Sequence, residues 1–489
     1  MGTDLVNKAV TTYDTELKNW IELEKAAVDL ISCTGQLLYN KGVELVFFRN
    51  HMVDRNVSEI LNLHKYAKEV VKKNISIYDT CEIAQALNSM DLAASKLDVG
   101  KLTADWTESK EKHPSKTEFL TTILKDFIGQ DTHPLIPRDI VLFGFGRIGR
   151  LCARELIKQA GKGQQLRLRA IVTRGNSDSD IVKRAALLRM DSVHGPFQGS
   201  VIEDLENKAL IINGQIVHMI NANNPEEVDY EKYEIKNALV IDNTGVFKDK
   251  EALSRHLKAK GVSRVLLTAP GKEVPNIVYG VNQKSFDKEA EKIVSAASCT
   301  TNAIVPVLKA INDTLGIEKG HIETVHAYTN DQNLLDNMHK KARRGRSAAI
   351  NMVITETGAG KAVTKVIPEL KDKLTANAVR VPVPNGSLAI LSLTVKKETT
   401  KEDVNFILRK ASLEGDLVNQ IHYSYEEELV SSDIIGNSCC SVFDSPATIV
   451  SNDKKNIVLY VWYDNEFGYT KQVIRLAKYF AKVTRLIYY

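Results

Sequence analysis

The chain has 489 residues, 43% hydrophobic and 26% charged, an ordinary globular composition with length for two or three cores. Lys and Arg number 65 against 61 Asp and Glu, a net charge of +4, which argues against nucleic acid or an anionic membrane as the partner. No run nears the apolar length of a membrane span, the start "MGTDLVNKAV" lacks a secretion signal, and the six cysteines (Cys33, Cys81, Cys152, Cys299, Cys439, Cys440) form no CxxC pair. A cytoplasmic protein with reduced thiols and no metal is expected.

Residues 1–130 read as a mainly helical extension. Val6, Val10, Tyr13, Leu17, Trp20, Ala27 and Ile31 recur at the spacing of one helix face, with charges on the other. "VELVFF" at 43–48 has the length of a buried strand, and "NVSEILNLHKYAKEVVKKN" resumes a helix with Asn56 or Ser58 as cap. Asp79 followed by Glu82 suggests a capping box. Polar "DWTESKEKHPSKTE" precedes one last helix, and "GQDTHPLIPRD", with two prolines, reads as a linker.

Beyond it, "RDIVLFGFGRIGRLCARELIKQ" is a strand, a glycine turn and an amphipathic helix, and "LRLRAIVTR" is the next strand, the opening of a doubly wound parallel sheet. Gly144, Gly146 and Gly149 form GxGxxG in that turn, where a dinucleotide pyrophosphate approaches backbone N–H groups at the helix start. The acidic residue expected about 20 positions on, to hold a ribose hydroxyl, is missing; Arg174 and Asn176 stand at that strand end. An arginine there suits a 2′-phosphate, so the cofactor is NAD or NADP, with NADP plausible. Farther along, "SAASCTTNA" places Cys299 behind small residues and before two threonines. That setting suits an attacking thiolate, although a free cysteine is most often a small core residue.

The motifs "GFGRIGR", "DSVHG", "NTGVF", "ASCTTN", "HAYTNDQ", "TGAGKAV", "KVIPEL", "RVPVP" and "WYDNEFGY" occur in this order, and from residue 138 to the C-terminus the chain resembles phosphorylating glyceraldehyde-3-phosphate dehydrogenases. The resemblance implies a Rossmann-type NAD(P)-binding domain over 138–298, an α+β catalytic domain over 299–464, and a C-terminal helix over 465–489 that packs on the first. It implies Cys299 as nucleophile and His326 as its base. It places Thr329 and Arg380 at the substrate phosphate, and Ser298, Thr357 and Gly358, with Thr300 beside them, at the attacking phosphate. Gly144, Gly146, Arg147, Ile148, Arg174, Thr244, Thr268, Asn465 and Tyr469 fall in the cofactor loops, Asn465 holding the carboxamide. Glyceraldehyde 3-phosphate, inorganic phosphate and a homotetramer follow from the same likeness, in a glycolytic or gluconeogenic role.

Two departures stand out: Phe143 replaces the family's usual asparagine, and the ribose aspartate is absent. The basic run Lys340, Lys341, Arg343, Arg344 and Arg346 resembles dual-cofactor and erythrose-4-phosphate dehydrogenase versions of its loop. Erythrose-4-phosphate dehydrogenase is therefore an alternative, and a regulatory or binding protein on the same fold is another. The extension lies outside the resemblance and suits docking onto a protein partner.

Overall fold

A computed structural model describes residues 12–129 and 133–489; Val6, Val10 and positions 130–132 of the linker lie outside the described residues. The chain divides into two compact units. One runs to Leu135 and takes back Arg485–Tyr489, and the other is Ile136–Thr484.

The first unit is mainly helical around a small sheet. Its helices are α1 (Tyr13–Gln36), α2 (Val57–Tyr66), α3 (Ile77–Ser89), α4 (Val99–Ser109) and α5 (Lys116–Ile123). Asn56 caps α2 in a reciprocal box with Glu59. The expected Asp79 box does not form: Ser76 caps α3, and Asp79 and Glu82 both face Lys116 instead. Strand β1 (Glu44–Phe47), fully buried as its apolar run predicts, pairs antiparallel with β2 (Asn50–His51) and parallel with β3 (Ser95–Asp98). The fourth strand comes from the far end of the chain. Leu486–Tyr488 lies parallel to β3, Leu486 opposite Ser95 and Tyr488 opposite Leu97. Arg485 reaches buried Glu44 at 3.3 Å, and the Tyr488 hydroxyl donates to Asp105 at 2.9 Å. Thus the last five residues, which the sequence assigned to a segment packing on the cofactor domain, belong here.

One helix face differs from its reading. Of the apolar face, Ala27 is buried while Tyr13, Leu17 and Trp20 are exposed, and α1 also buries Ala26, Leu30, Cys33 and Thr34.

The second unit holds two sheets. The first has eight strands in the order Ile293–Ser295, Val262–Leu267, Ala238–Asp242, β4 (Arg138–Phe143), β5 (Leu166–Thr173), Gln215–Asn221, Ala209–Ile212 and Val201–Asp204. The first six run parallel and the last two antiparallel. Right after β4 comes α6 (Arg147–Lys158), and after β5 comes α7 (Asp178–Arg189). The C-terminal helix Phe467–Phe480 packs on α6 through Val473, Ile474 and Ala477, which share one core with Cys152, Ala153 and Leu156. A buried ion pair, Lys471 Nζ to Glu155 Oε2 at 2.7 Å, pins the two helices together. The second sheet is mixed, and the helix Cys299–Leu315 packs on it with Ile304, Val307 and Leu308 in the shared core.

Candidate active site

The nucleophile position is built by a strained turn. Strand Ile293–Ser295 ends, Ala297 takes a left-handed backbone conformation (φ 55°), and Ser298 caps the helix that Cys299 begins. A left-handed alanine costs of order 1–3 kcal/mol, so the surroundings must impose it. They do: the Ser295 hydroxyl accepts from the Ala297 N–H at 3.0 Å, and the buried Tyr469 hydroxyl donates to the Ala297 carbonyl at 2.9 Å. The small residues before Cys299 therefore serve the turn. Asn302, buried in the first turn of the helix, donates back to the carbonyls of Ala296 and Ser298.

His326 arrives from another sheet. It sits near the end of strand Ile317–Ala327, directly opposite Arg380 on the neighbouring parallel strand Leu374–Val381. Its Nε2 lies 3.6 Å from Cys299 Sγ. On the other side of the ring, Nδ1 is 2.7 Å from the Ala327 carbonyl, which also accepts from Arg380 Nη1 at 2.8 Å. The Ala327 carbonyl can only accept, so it calls for the proton on Nδ1, and Nε2 then offers its lone pair to the thiol. Burial, helped by Arg380 at 3.0 Å, pushes the imidazole pKa down to about 3. Burial also pushes the Cys299 thiol up, and the Arg380 charge opposes that rise. Both shifts favour the uncharged pair, thiol facing imidazole, with a fixed cation beside them.

The other expected residues divide. Thr300 is turned away from solvent, its hydroxyl 3.1 Å from Tyr463. Ser298 Oγ accepts from the Thr301 N–H, so helix capping is its contact. The Thr329 carbonyl closes a turn with the Gln332 N–H. Thr357 and Gly358 stand at the start of helix Ala359–Val366 and line an open basic cleft of about 1070 Å³ with Lys341, Arg343, Arg344 and Lys361. Much of that run is internally neutralised: Arg344 pairs with Asp331 and Arg346 with Asp336.

At the glycine turn the requirements are steric. Gly144 has φ 98°, and a Cβ on Gly149 would come within 2.5 Å of the Gly144 carbonyl oxygen. Around Gly146, by contrast, a Cβ meets nothing within 4 Å, and no side chain caps α6 there. An uncapped helix start with open space before it fits a pyrophosphate. The turn opens into a cavity of about 420 Å³ lined by Gly144, Gly146, Arg174, Arg184, Thr244 and Phe247, with no carboxylate among its lining residues. Phe143 also lines it, edge-on to Phe247 and His256. Thr244 is fixed by Asp242, which accepts from its N–H and its hydroxyl, while Thr268 donates to the Asp242 carbonyl. Ile148 packs against the core, and Arg147 forms ion pairs with Glu466 and Asp191.

Asn465 is oriented by residues the sequence reading passed over. Ser387 donates to its side-chain oxygen at 2.8 Å, and Asn385 Oδ1 accepts its backbone N–H at 3.2 Å. Asn385 in turn donates to buried Asp464 at 2.8 Å, which also faces His194 at 3.2 Å. With its oxygen accepting from Ser387, the Asn465 amide keeps its own N–H donors. The signal was the "NGS" at 385–387 just ahead of a strand. Arg184, on α7, gave none.

Two family descriptions match the chain: "Glyceraldehyde 3-phosphate dehydrogenase, NAD binding domain" over residues 138–250 and "Glyceraldehyde 3-phosphate dehydrogenase, C-terminal domain" over 298–465. A "glyceraldehyde-3-phosphate dehydrogenase-like protein" of Pseudomonas aeruginosa is 48% identical over 458 residues, 93% of this chain and 98% of that protein. The glyceraldehyde-3-phosphate dehydrogenase of Clostridium pasteurianum is 40% identical over 71% of this chain and 99% of its own length. Glyceraldehyde-3-phosphate dehydrogenase 2 of Trichormus variabilis is 43% identical over 70% of the chain and 98% of itself. The P. aeruginosa alignment therefore takes in most of the first unit, and the other two do not. Fold and site define an oxidoreductase with a nicotinamide-binding domain joined to a cysteine–histidine centre. The chain belongs to the glyceraldehyde 3-phosphate dehydrogenase family.

Proposed function

We propose that the protein oxidises glyceraldehyde 3-phosphate, with inorganic phosphate as acyl acceptor, through a covalent adduct on Cys299. The observation that carries this reading is the Cys299 Sγ to His326 Nε2 approach of 3.6 Å with Arg380 against the far side of the ring. His326 Nε2 takes the thiol proton as the sulfur adds to the aldehyde carbon, returns it to the new oxyanion to give a thiohemiacetal, and takes it up again when the hydride leaves. When bound, the nicotinamide supplies the acceptor for the hydride that leaves this carbon as the thioester forms. A phosphate oxygen then attacks the thioester, the C–S bond breaks, and Cys299 leaves as thiolate and recovers its proton. Asn465, held by Ser387 and Asn385, orients the carboxamide; Thr329 and Arg380 bind the substrate phosphate, and Ser298, Thr357 and Gly358 the acceptor.

The cofactor in this reading is NADP in preference to NAD, because two guanidinium groups and no carboxylate face the cavity at the end of β5. Such a preference suits the reductive, gluconeogenic direction. The assembly is a cytoplasmic homotetramer, as in the family at large.

Nicotinamide absorbance tests this directly. Phosphate-dependent turnover is expected, and none with Cys299→Ser. Turnover of erythrose 4-phosphate without need of phosphate would replace the proposed reaction. Calorimetric titration separates the cofactor question: Arg174→Ala and Arg184→Ala are each expected to weaken NADP by about tenfold and leave NAD unchanged. Equal losses for both cofactors would remove the NADP assignment.

A further inference from the structure

Helix α1 is apolar on two opposite faces. One is buried through Ala26, Leu30 and Cys33; the other, formed by Tyr13, Leu17, Trp20, Ile21 and Val28, faces solvent, with Trp20 47% and Val28 53% exposed. Every residue from Thr12 to Glu22 is exposed, so about three helical turns have no packing within the described chain. Helix of that length is marginal in water by itself, and an aromatic, branched stripe on it marks an interaction surface.

The stripe is self-complementary. Turned end for end about a point between Trp20 and Ile21, Tyr13 opposes Val28, Trp20 opposes Ile21, and Leu17 opposes Glu24. Glu24 belongs to the stripe, since its carboxylate accepts from Trp20 Nε1 at 2.9 Å. On one flank this arrangement brings Asp14 of one helix beside Lys25 of the other, at two symmetric places. A parallel pairing instead puts Asp14 beside Glu16, like charge against like. From this pattern we infer that α1 docks antiparallel on α1 of a second copy of the chain, across a two-fold axis at Trp20 and Ile21. Among the described residues Lys25 pairs with the exposed Glu22 at 2.8 Å, a surface contact weak enough to give way to Asp14 of a second copy. Five apolar side chains per helix bury less than a free-standing dimer needs, so the pair joins copies reversibly.

Cysteine cross-linking of the full chain tests it, with the unmodified protein and its own thiols as reference. Ile21→Cys lies near the axis and is expected to give disulfide-linked dimers under mild oxidation. Val28→Cys alone is not, because the two copies of residue 28 sit roughly 22 Å apart along the pair at 1.5 Å per residue. Tyr13→Cys combined with Val28→Cys is expected to cross-link again. Adding Leu17→Glu to Ile21→Cys should slow its cross-linking by about tenfold or more, since it sets a carboxylate against Glu24. Cross-linking through Val28→Cys alone as fast as through Ile21→Cys would mean parallel helices and overturn the inference. So would no cross-linking through Ile21→Cys, including the case where Trp20 is shielded from a fluorescence quencher by another segment.

Discussion

At the scale of single residues, the site rests on the way burial sets two protons. The Cys299 thiol is raised by burial and partly brought back by Arg380. Alkylation of the free enzyme by iodoacetamide is therefore expected to speed up with rising pH, with a midpoint above that of an ordinary thiol. Arg380→Gln should move that midpoint higher still, and Arg380→Lys much less; a midpoint indifferent to both would deny Arg380 its electrostatic part. His326 carries the opposite shift. Unfolded, it takes a proton below its ordinary 6.5, but folded only near 3, so it lowers stability as pH falls through that window. His326→Gln is expected to flatten the pH dependence of the melting temperature there. Cys299 and His326 were legible in the sequence because their motifs carry them. The left-handed Ala297 and the sharing of the Ala327 carbonyl by His326 and Arg380 were not, since each depends on contacts from segments far away in the chain.

Elements bring such residues together, and here register decides. His326 and Arg380 meet because their strands pair in parallel with those two positions opposite. Ser387 reaches Asn465 because the strand it begins pairs with the strand that ends at Tyr463. Periodicity predicts strands but not which neighbour each one finds, which is why Ser387 and Asn385 escaped the sequence reading while "YDNEFGY" did not. Ser387→Ala is expected to loosen Asn465 and raise the KM for the cofactor, with the Cys299 alkylation rate unchanged; loss of both together would mean a collapsed site. The exposed part of the α1 face shows the same limit: the 3.6-residue period finds an apolar stripe but not what covers it. One buried ion pair adds to the apolar packing of the C-terminal helix on α6. Against the upward push of burial, Lys471 holds the Glu155 carboxyl below its usual range. Lys471→Met takes away the buried cation and leaves that carboxylate the Gln159 amide at 2.7 Å, and is expected to destabilise the second unit by about 3–5 kcal/mol, whereas Lys471→Met with Glu155→Leu should recover much of the loss. Denaturant melts of the single and double variants decide it.

For the molecule as a whole, composition and glycine and proline punctuation were enough to mark a separate helical region and a doubly wound sheet. The small sheet of the first unit was only half visible, because one of its strands lies almost 400 positions downstream of the strand it joins. Removing Arg485–Tyr489 is expected to leave the second unit folded and to speed amide exchange in β3, whose outer edge loses its partner. Unchanged protection there would make the C-terminal strand an ornament. That strand also has a consequence for synthesis. A ribosome makes β1 to β3 long before Leu486–Tyr488, so the sheet stays open at β3 while the almost 400 positions between them are translated. The first unit is thus completed after the second, and a nascent chain must carry an unpaired strand edge through the making of the whole second unit, a natural point for chaperone capture or for exchange of the Leu486–Tyr488 strand between neighbouring chains.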